Sequence, residues 1–161
     1  MPFVLGKSSA ARLSTCHPDI QRVIRLAITR TPIDFMVIEG VRSDEQAYVN
    51  FGKGRTVAQM AAAGVPNPER YAKPALAKVT WLKNPLSTKH RKQADGWSWA
   101  VDILPAPYDW KDIRRFDAVA TVVLACAKEL GVALRWGRDW DGDGVKGEKG
   151  ETDGPHFELV R

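Results

Sequence analysis

With 161 residues, 44% of them hydrophobic and 27% charged, the chain has the size and composition of one globular domain, able to bury roughly 70% of its unfolded surface. Six tryptophans and an ordinary apolar fraction exclude a disordered chain, and apolar runs such as residues 118–127 fall short of the ~20 residues of a membrane-spanning helix. Twenty-four Lys and Arg against nineteen Asp and Glu give a net charge of +5 and a pI near 9.4, which favours an anionic partner such as nucleic acid, phospholipid or a bacterial cell-wall polymer.

The opening Met-Pro-Phe-Val-Leu-Gly-Lys puts no basic segment ahead of a long apolar one, so the expectation is a chain made in the cytosol and not stably inserted in a membrane. Leu13, Ile20, Val23, Ile24, Ala27 and Ile28 recur at helical spacing, and His17-Pro18-Asp19 and Thr31-Pro32 bracket a helix over 18–30. Phe35 to Glu39, ended by Gly40, reads as a buried strand. A helix follows over 43–63 with Ser43 as N-cap, interrupted near Gly52 and Gly54, and then a turn-rich stretch over 66–74. A second strand is expected over 97–104, stopped by Pro105 and Pro107, and a long helix over 112–130 with Gly131 as its stop. Residues 132–136 and 155–160 complete the strands, joined by a loop rich in Gly and Asp. This order predicts one α+β domain over 1–161, helices packed on a small antiparallel sheet.

The two cysteines, Cys16 and Cys126, lie far apart and form no CxxC, so neither a disulfide framework nor a thiolate zinc site is indicated. HExxH, G-x-S-x-G and Walker A patterns are all missing. Of the three histidines, His17 at a helix start reads as structural. His90 precedes a strand in which alternation puts Asp102 on one face with Ala100 and Leu104, and a buried carboxylate is costly unless it is paired or binds metal. His156 heads the last strand. Two imidazoles and a carboxylate with a fourth position open is the ligand set of a catalytic zinc; the alternative is two surface histidines and an aspartate paired with a Lys or Arg.

These residues carry a resemblance to the zinc peptidases related to D-alanyl-D-alanine carboxypeptidases, and among them to the phage L-alanyl-D-glutamate endolysins. Thr88-Lys89-His90 matches the family's Ser/Thr-x-His, Ala100-Val101-Asp102 its Ala-x-Asp, and Asp153-Gly154-Pro155-His156 its acid three residues before a histidine. Upstream, Gly40-Val41-Arg42 resembles the Gly-x-Arg segment and His17-Pro18-Asp19 the first helix, so the resemblance spans nearly the whole chain. It implies a hedgehog/D-Ala-D-Ala-peptidase-like fold and zinc held by His90, Asp102 and His156. It further implies Asp153 as general base, with Glu151 and Glu158 as fallbacks, and Arg42 and Thr88 as substrate contacts, Arg42 also steadying the oxyanion. Eleven residues separate His90 from Asp102, more than the family's usual interval. Either a hairpin insertion leaves Asp102 in place or the ligand becomes Asp95; the turn signal Asp95-Gly96 favours Asp102.

The implied function is a monomeric endolysin that cuts the peptidoglycan stem peptide at the L-alanyl-D-glutamate bond after release through a holin-type pore. A D-alanyl-D-alanine carboxypeptidase or dipeptidase is the same-class rival, and a non-catalytic zinc module that binds the cell wall is the rival of another class. Nucleic-acid binding rests only on charge and on Trp97-Ser98-Trp99 and is set aside. One further motif stands apart. Asp139, Asp141 and Asp143 with Gly144 match the first half of an EF-hand loop, which points to calcium, but position twelve falls on Gly150, leaving Glu148 or Glu151 to supply the missing ligand.

Overall fold

Two helices with one apolar stripe each cover one face of a sheet. The computed structural model describes residues 1–160. Helix α2 (Pro18–Arg30) follows a short α1 (Lys7–Leu13); Pro18 opens α2, and the His17 ring caps it, Nδ1 accepting the Asp19 N–H at 3.0 Å. That settles His17 as a structural residue. Helix α6 (Ile113–Glu129) buries Phe116, Val119, Ala120, Val123, Cys126 and Ala127. It ends as Gly131 takes φ +69°, a conformation that glycine adopts without strain. The buried stripes of α2 and α6 meet each other and the sheet in one core, where each fully buried Val or Ile contributes about 1.5–3 kcal/mol relative to exposure. Cys16 and Cys126 are free thiols within it, and burial pushes Cys16 up to about 12.

The sheet has four antiparallel strands in the order β1-β2-β4-β3: β1 (Phe35–Glu39), β2 (Ala100–Pro105), β3 (Leu134–Gly137) and β4 (Asp153–Leu159). Alternation gives it two unlike faces. Val37, Val101, Ile103, Trp136, Phe157 and Leu159 join the helical core. The opposite face carries Asp102, paired in register with His156, and Glu158, paired with Ala100 on one side and Arg135 on the other. On β1 a register shift between Val37 and Glu39 sets Glu39, rather than Ile38, opposite Asp102. A bulge moves one side chain to the other face, and here it delivers a carboxylate to the polar face.

The predicted helix over 43–63 is two helices, α3 (Asp44–Gly52) and α4 (Val57–Ala62). Gly52 lies so close to the Tyr71 carbonyl that a Cβ would stand 1.9 Å from its oxygen, and the chain leaves the helix there to pack beside residues 71–73. Thr56 and Gln59 then start α4 with a reciprocal capping box. The turn-rich stretch contains α5 (Pro68–Tyr71), and Phe51, Met60 and Val65 form a small core of their own under this segment. Strand β2 starts at Ala100 rather than at 97, because Ser98 is drawn into isolated bridges with Cys16 and Lys92. No helix among the described residues is long and apolar enough to cross a membrane.

Gly137 tests how tightly β3 sets the start of β4. A Cβ there would lie 2.2 Å from the Asp153 carbonyl oxygen, a backbone atom that cannot swing aside. Gly137→Ala is expected to cost about 1–3 kcal/mol, the usual range for overpacking, read as a lower urea midpoint at unchanged slope. An unaltered midpoint would show that the β3–β4 junction has slack.

Candidate metal centre

On the polar face, three side chains from distant parts of the chain converge. His90 Nε2 stands 3.2 Å from Asp102 Oδ1 and 3.2 Å from His156 Nδ1, and His156 Nδ1 is 3.1 Å from the same Asp102 oxygen. A tetrahedral zinc with ligands at about 2.0–2.1 Å holds them roughly 3.3 Å apart, so these three atoms have the spacing of one face of such a tetrahedron. Asp102 and His156 arrive by strand register alone. His90 arrives from the irregular segment before β2, where its N–H donates to Thr88 Oγ1 at 3.2 Å and its carbonyl accepts from Arg42 N–H at 2.7 Å. The Thr-x-His spacing is therefore a turn that fixes the histidine backbone.

The outer nitrogens decide what the inner ones offer. His90 Nδ1 lies 2.9 Å from the Gly40 carbonyl, which can only accept, so Nδ1 carries the proton and Nε2 presents a lone pair. Gly40 is required there, since a Cβ would stand 2.3 Å from the Arg12 carbonyl oxygen. Likewise His156 Nε2 donates to Glu158 Oε1 at 2.8 Å, which leaves Nδ1 facing Asp102. Two lone pairs and a carboxylate oxygen pointing at one another repel unless a cation sits among them. A proton on His156 would serve as that cation. Burial lowers the His156 pKa, but its bonds to Asp102 and Glu158 outweigh this and raise it to about 10. Burial raises Asp102, yet the charge and hydrogen bonds of both imidazoles hold it well below the usual carboxylate range. A divalent ion would take the place of that proton, as metal binding to histidine generally does. The donor set thus fits a metal ion, with both rings oriented by second partners.

The centre lies in a cleft of about 820 Å³ whose walls include Arg42, Lys53, Thr88, Trp110, Trp140 and Asp153. Asp153, the exposed first residue of β4, lines the same cleft. Packing around it raises its carboxyl, Asp102 adds to the rise, and His156, His90 and Arg42 oppose it. Arg42 is pinned in the wall by a bidentate pair with Glu39, at 2.6 and 2.8 Å. Of the residues named on sequence, Arg42, Thr88, His90, Asp102, Asp153 and His156 meet in this cleft, whereas Asp95, the alternative ligand, accepts from Trp97 N–H and Trp99 Nε1 and approaches His17. Asp102 is the carboxylate of the cluster. Glu158, a fallback base on sequence, has its oxygens engaged by His156 and Arg135, and Glu151 lies in the acidic loop.

What sequence reasoning missed were the supports: the Gly40 carbonyl, Glu39 and Arg135. The signal for Arg135 was present as a lone cation between Leu134 and Trp136 in an otherwise apolar strand. Glu158 was named on sequence, as a fallback base; the structure makes it instead the partner of the His156 ring.

A profile of the family described as phage L-alanyl-D-glutamate peptidase matches residues 1–70 and 61–160. The L-alanyl-D-glutamate peptidase of Escherichia phage T5 is 31% identical over 166 residues, covering 99% of this chain and 100% of that protein. The crystal structure of the L-Ala D-Glu endopeptidase ChiX of Serratia marcescens superposes with a TM-score of 0.62 at 25% identity, over 98% of this chain and 90% of that one. With the profile spanning almost every residue and a full-length relative beyond 30% identity, the chain belongs to the phage L-alanyl-D-glutamate peptidase family.

Proposed function

We propose that the protein is a zinc-dependent endolysin that hydrolyses the L-alanyl-D-glutamate bond of the peptidoglycan stem peptide. The observation that carries the reading is the His90, Asp102 and His156 triangle at the floor of a cleft that also holds Asp153. When bound, zinc supplies a Lewis acid that polarises the scissile carbonyl and lowers the pKa of water. Asp153 takes the proton of the attacking water and returns it to the leaving amine, a role that its raised pKa suits. Arg42, its guanidinium already oriented by Glu39, steadies the oxyanion or a substrate carboxylate. Thr88 belongs to the wall that receives the peptide. Names of the phage T5 and Serratia relatives support the choice of bond, and a phage origin supports synthesis inside the host with passage to the wall through a holin-type pore.

Digestion of purified peptidoglycan with and without chelator, followed by mass spectrometry of the new termini, tests the activity. New C-terminal L-alanine and N-terminal D-glutamate are expected; release of D-alanine would instead make the enzyme a carboxypeptidase. The purified protein should carry about one zinc per chain, and His156→Ala should lose metal and lysis together. Full lysis by exhaustively chelated enzyme would remove the zinc assignment.

Asp153→Asn should retain zinc and fold while its rate falls ~10²–10⁴-fold, the usual size of a general-base contribution. A variant that still lyses walls normally would show that another group takes the proton.

A second ion is favoured by the acidic loop. Asp139, Asp141 and Glu151 offer oxygens within 4.8 Å of one another, while Asp143 groups with Asp141 and Glu148 instead. Asp139 Oδ1 and Glu151 Oε2 are buried without a hydrogen-bond partner among the described residues, and Glu151 is only 7% exposed. Desolvation and then the charges of Asp141, Glu148 and Asp139 raise the Glu151 carboxyl, as expected of crowded oxygens that lack a cation. Glu151, one place beyond the twelfth position, supplies the ligand missing from the motif, and calcium is the ion its hard oxygen set prefers. Titrating zinc-loaded enzyme with calcium should raise melting temperature and lysis, and Asp141→Ala should abolish the response while leaving zinc bound. No change in either up to millimolar calcium, the range of weak extracellular-type sites, would rule the site out.

A further inference from the structure

Behind His156 lies a second layer of charge that no step of the proposed hydrolysis uses. Glu158 is 5% exposed on the face it shares with His156, two residues further along β4. Its Oε1 accepts from His156 Nε2 at 2.8 Å, and its Oε2 accepts from Arg135 Nη2 at 3.0 Å and Nε at 3.3 Å. Arg135 is its register partner on β3, so the two are held opposite each other by the backbone ladder and not by chance side-chain reach. The guanidinium also lies over the Trp140 ring, 4.5 Å from its centroid, and Trp140 packs beside the His156 ring at 5.8 Å. His156 is thereby gripped at Nε2 and along one side.

An isolated neutral imidazole divides its proton between both nitrogens and turns about two torsions. Only one combination directs the Nδ1 lone pair at the position shared with His90 and Asp102. A buried carboxylate left without a cation would be costly at this depth, and the Arg135 guanidinium offsets that cost at Oε2 while Oε1 is kept for His156. Asp102 does not substitute for it, since it approaches the same nitrogen that must bind the metal.

We propose that Glu158, anchored by Arg135, is a positioning residue that fixes the tautomer and ring orientation of His156 and so sets the affinity of the centre for its metal. Glu158 lines the cleft, but both of its oxygens are taken, by His156 and by Arg135. Such outer partners of metal-binding histidines are typically worth 10–100-fold in affinity. The inference rests on the metal reading above and concerns a residue that the reading does not employ.

Glu158→Met keeps the volume and removes the acceptor, while Glu158→Gln keeps an oxygen that can accept from Nε2. Circular dichroism and melting establish that each variant is folded, and zinc affinity is read by competition with a chromophoric chelator. The expected result is 10–100-fold weaker zinc binding in Glu158→Met, with recovery to within a few-fold of the parent in Glu158→Gln. In the zinc-loaded parent, nitrogen NMR should place the His156 proton on Nε2. At saturating zinc the Met variant should lose kcat with little change in KM, because ring placement and not substrate binding is disturbed. Parent-like zinc affinity in Glu158→Met, or a Gln variant as weak as the Met variant, overturns the positioning role alone. A parent protein that binds no zinc overturns the metal reading with it.

Discussion

The pairing of Asp102 with His156 across β2 and β4 is the constraint on which the rest of the site depends. Side chains on a strand alternate with a period of two, so a slip of one residue would send both ligands into the apolar core and bring Val101 and Phe157 to the cleft. The core prevents that slip. Val101, Ile103, Phe157 and Leu159 are each at most 1% exposed beneath α2 and α6, and the energy of their burial holds the register that presents Asp102 and His156 to the cleft. Packing on one face is thus the source of precision on the other. It also explains why the third ligand can come from an irregular segment: with two donors fixed by the ladder, His90 needs only a turn at Thr88, the Gly40 carbonyl and the backbone bond from Arg42 to His90.

A polar face of this kind needs its charges matched locally. Asp102 is answered by the two imidazoles, Glu39 by Arg42, and Glu158 by His156 and Arg135. Burial raises the Glu158 pKa, but its bonds and charges with His156 and then Arg135 outweigh it and leave the carboxyl below the ordinary range. Each pair lies at least partly out of solvent, where an unmatched charge is far more costly than at the surface. The bulge in β1 belongs to the same arrangement, because without it the apolar Ile38 would replace Glu39 and leave Arg42 unpaired in the cleft wall.

How far the sequence could be read depended on how local each signal was. The boundaries of α2 and β1 and the extent of α6 were legible because caps, periodicity and stop residues agreed within one segment. Helix α1 gave no such agreement: it is seven residues long, lacks a side-chain cap and buries only Ser9 and Leu13. The break between α3 and α4 was half legible, since Gly52 marked it while the cause, the Tyr71 carbonyl, lies in another element. At the site, His90, Asp102, Asp153 and His156 could be picked out by residue type and motif. Glu39 and Gly40 could not, because the one needs the bulge in β1 and the other the approach of His90 from a distant segment, and the lone cation Arg135 gained a role only through its register with Glu158.

The acidic loop joins β3 to β4 and so spans the distance between Arg135 and the Asp153–His156 segment. Its Trp140 lies between Asp139 and Asp141, packs against His156 and receives the Arg135 guanidinium on its face. Any change that orders or loosens the loop around Asp139, Asp141 and Asp143 therefore acts on the side of His156, not on a remote surface. The loop also ends at Glu151, two residues before the proposed base, and its closing segment leads into the tight Gly137–Asp153 junction. Order in this loop and placement of Asp153 are consequently linked by chain connectivity as well as by packing. Arg138 reinforces the link through its pair with Asp117 on α6 at 3.0 Å, which ties the start of the loop to the helical layer. The Asp153–His156 segment is thus held at one end by the sheet and at the other by a loop tied to the helical layer.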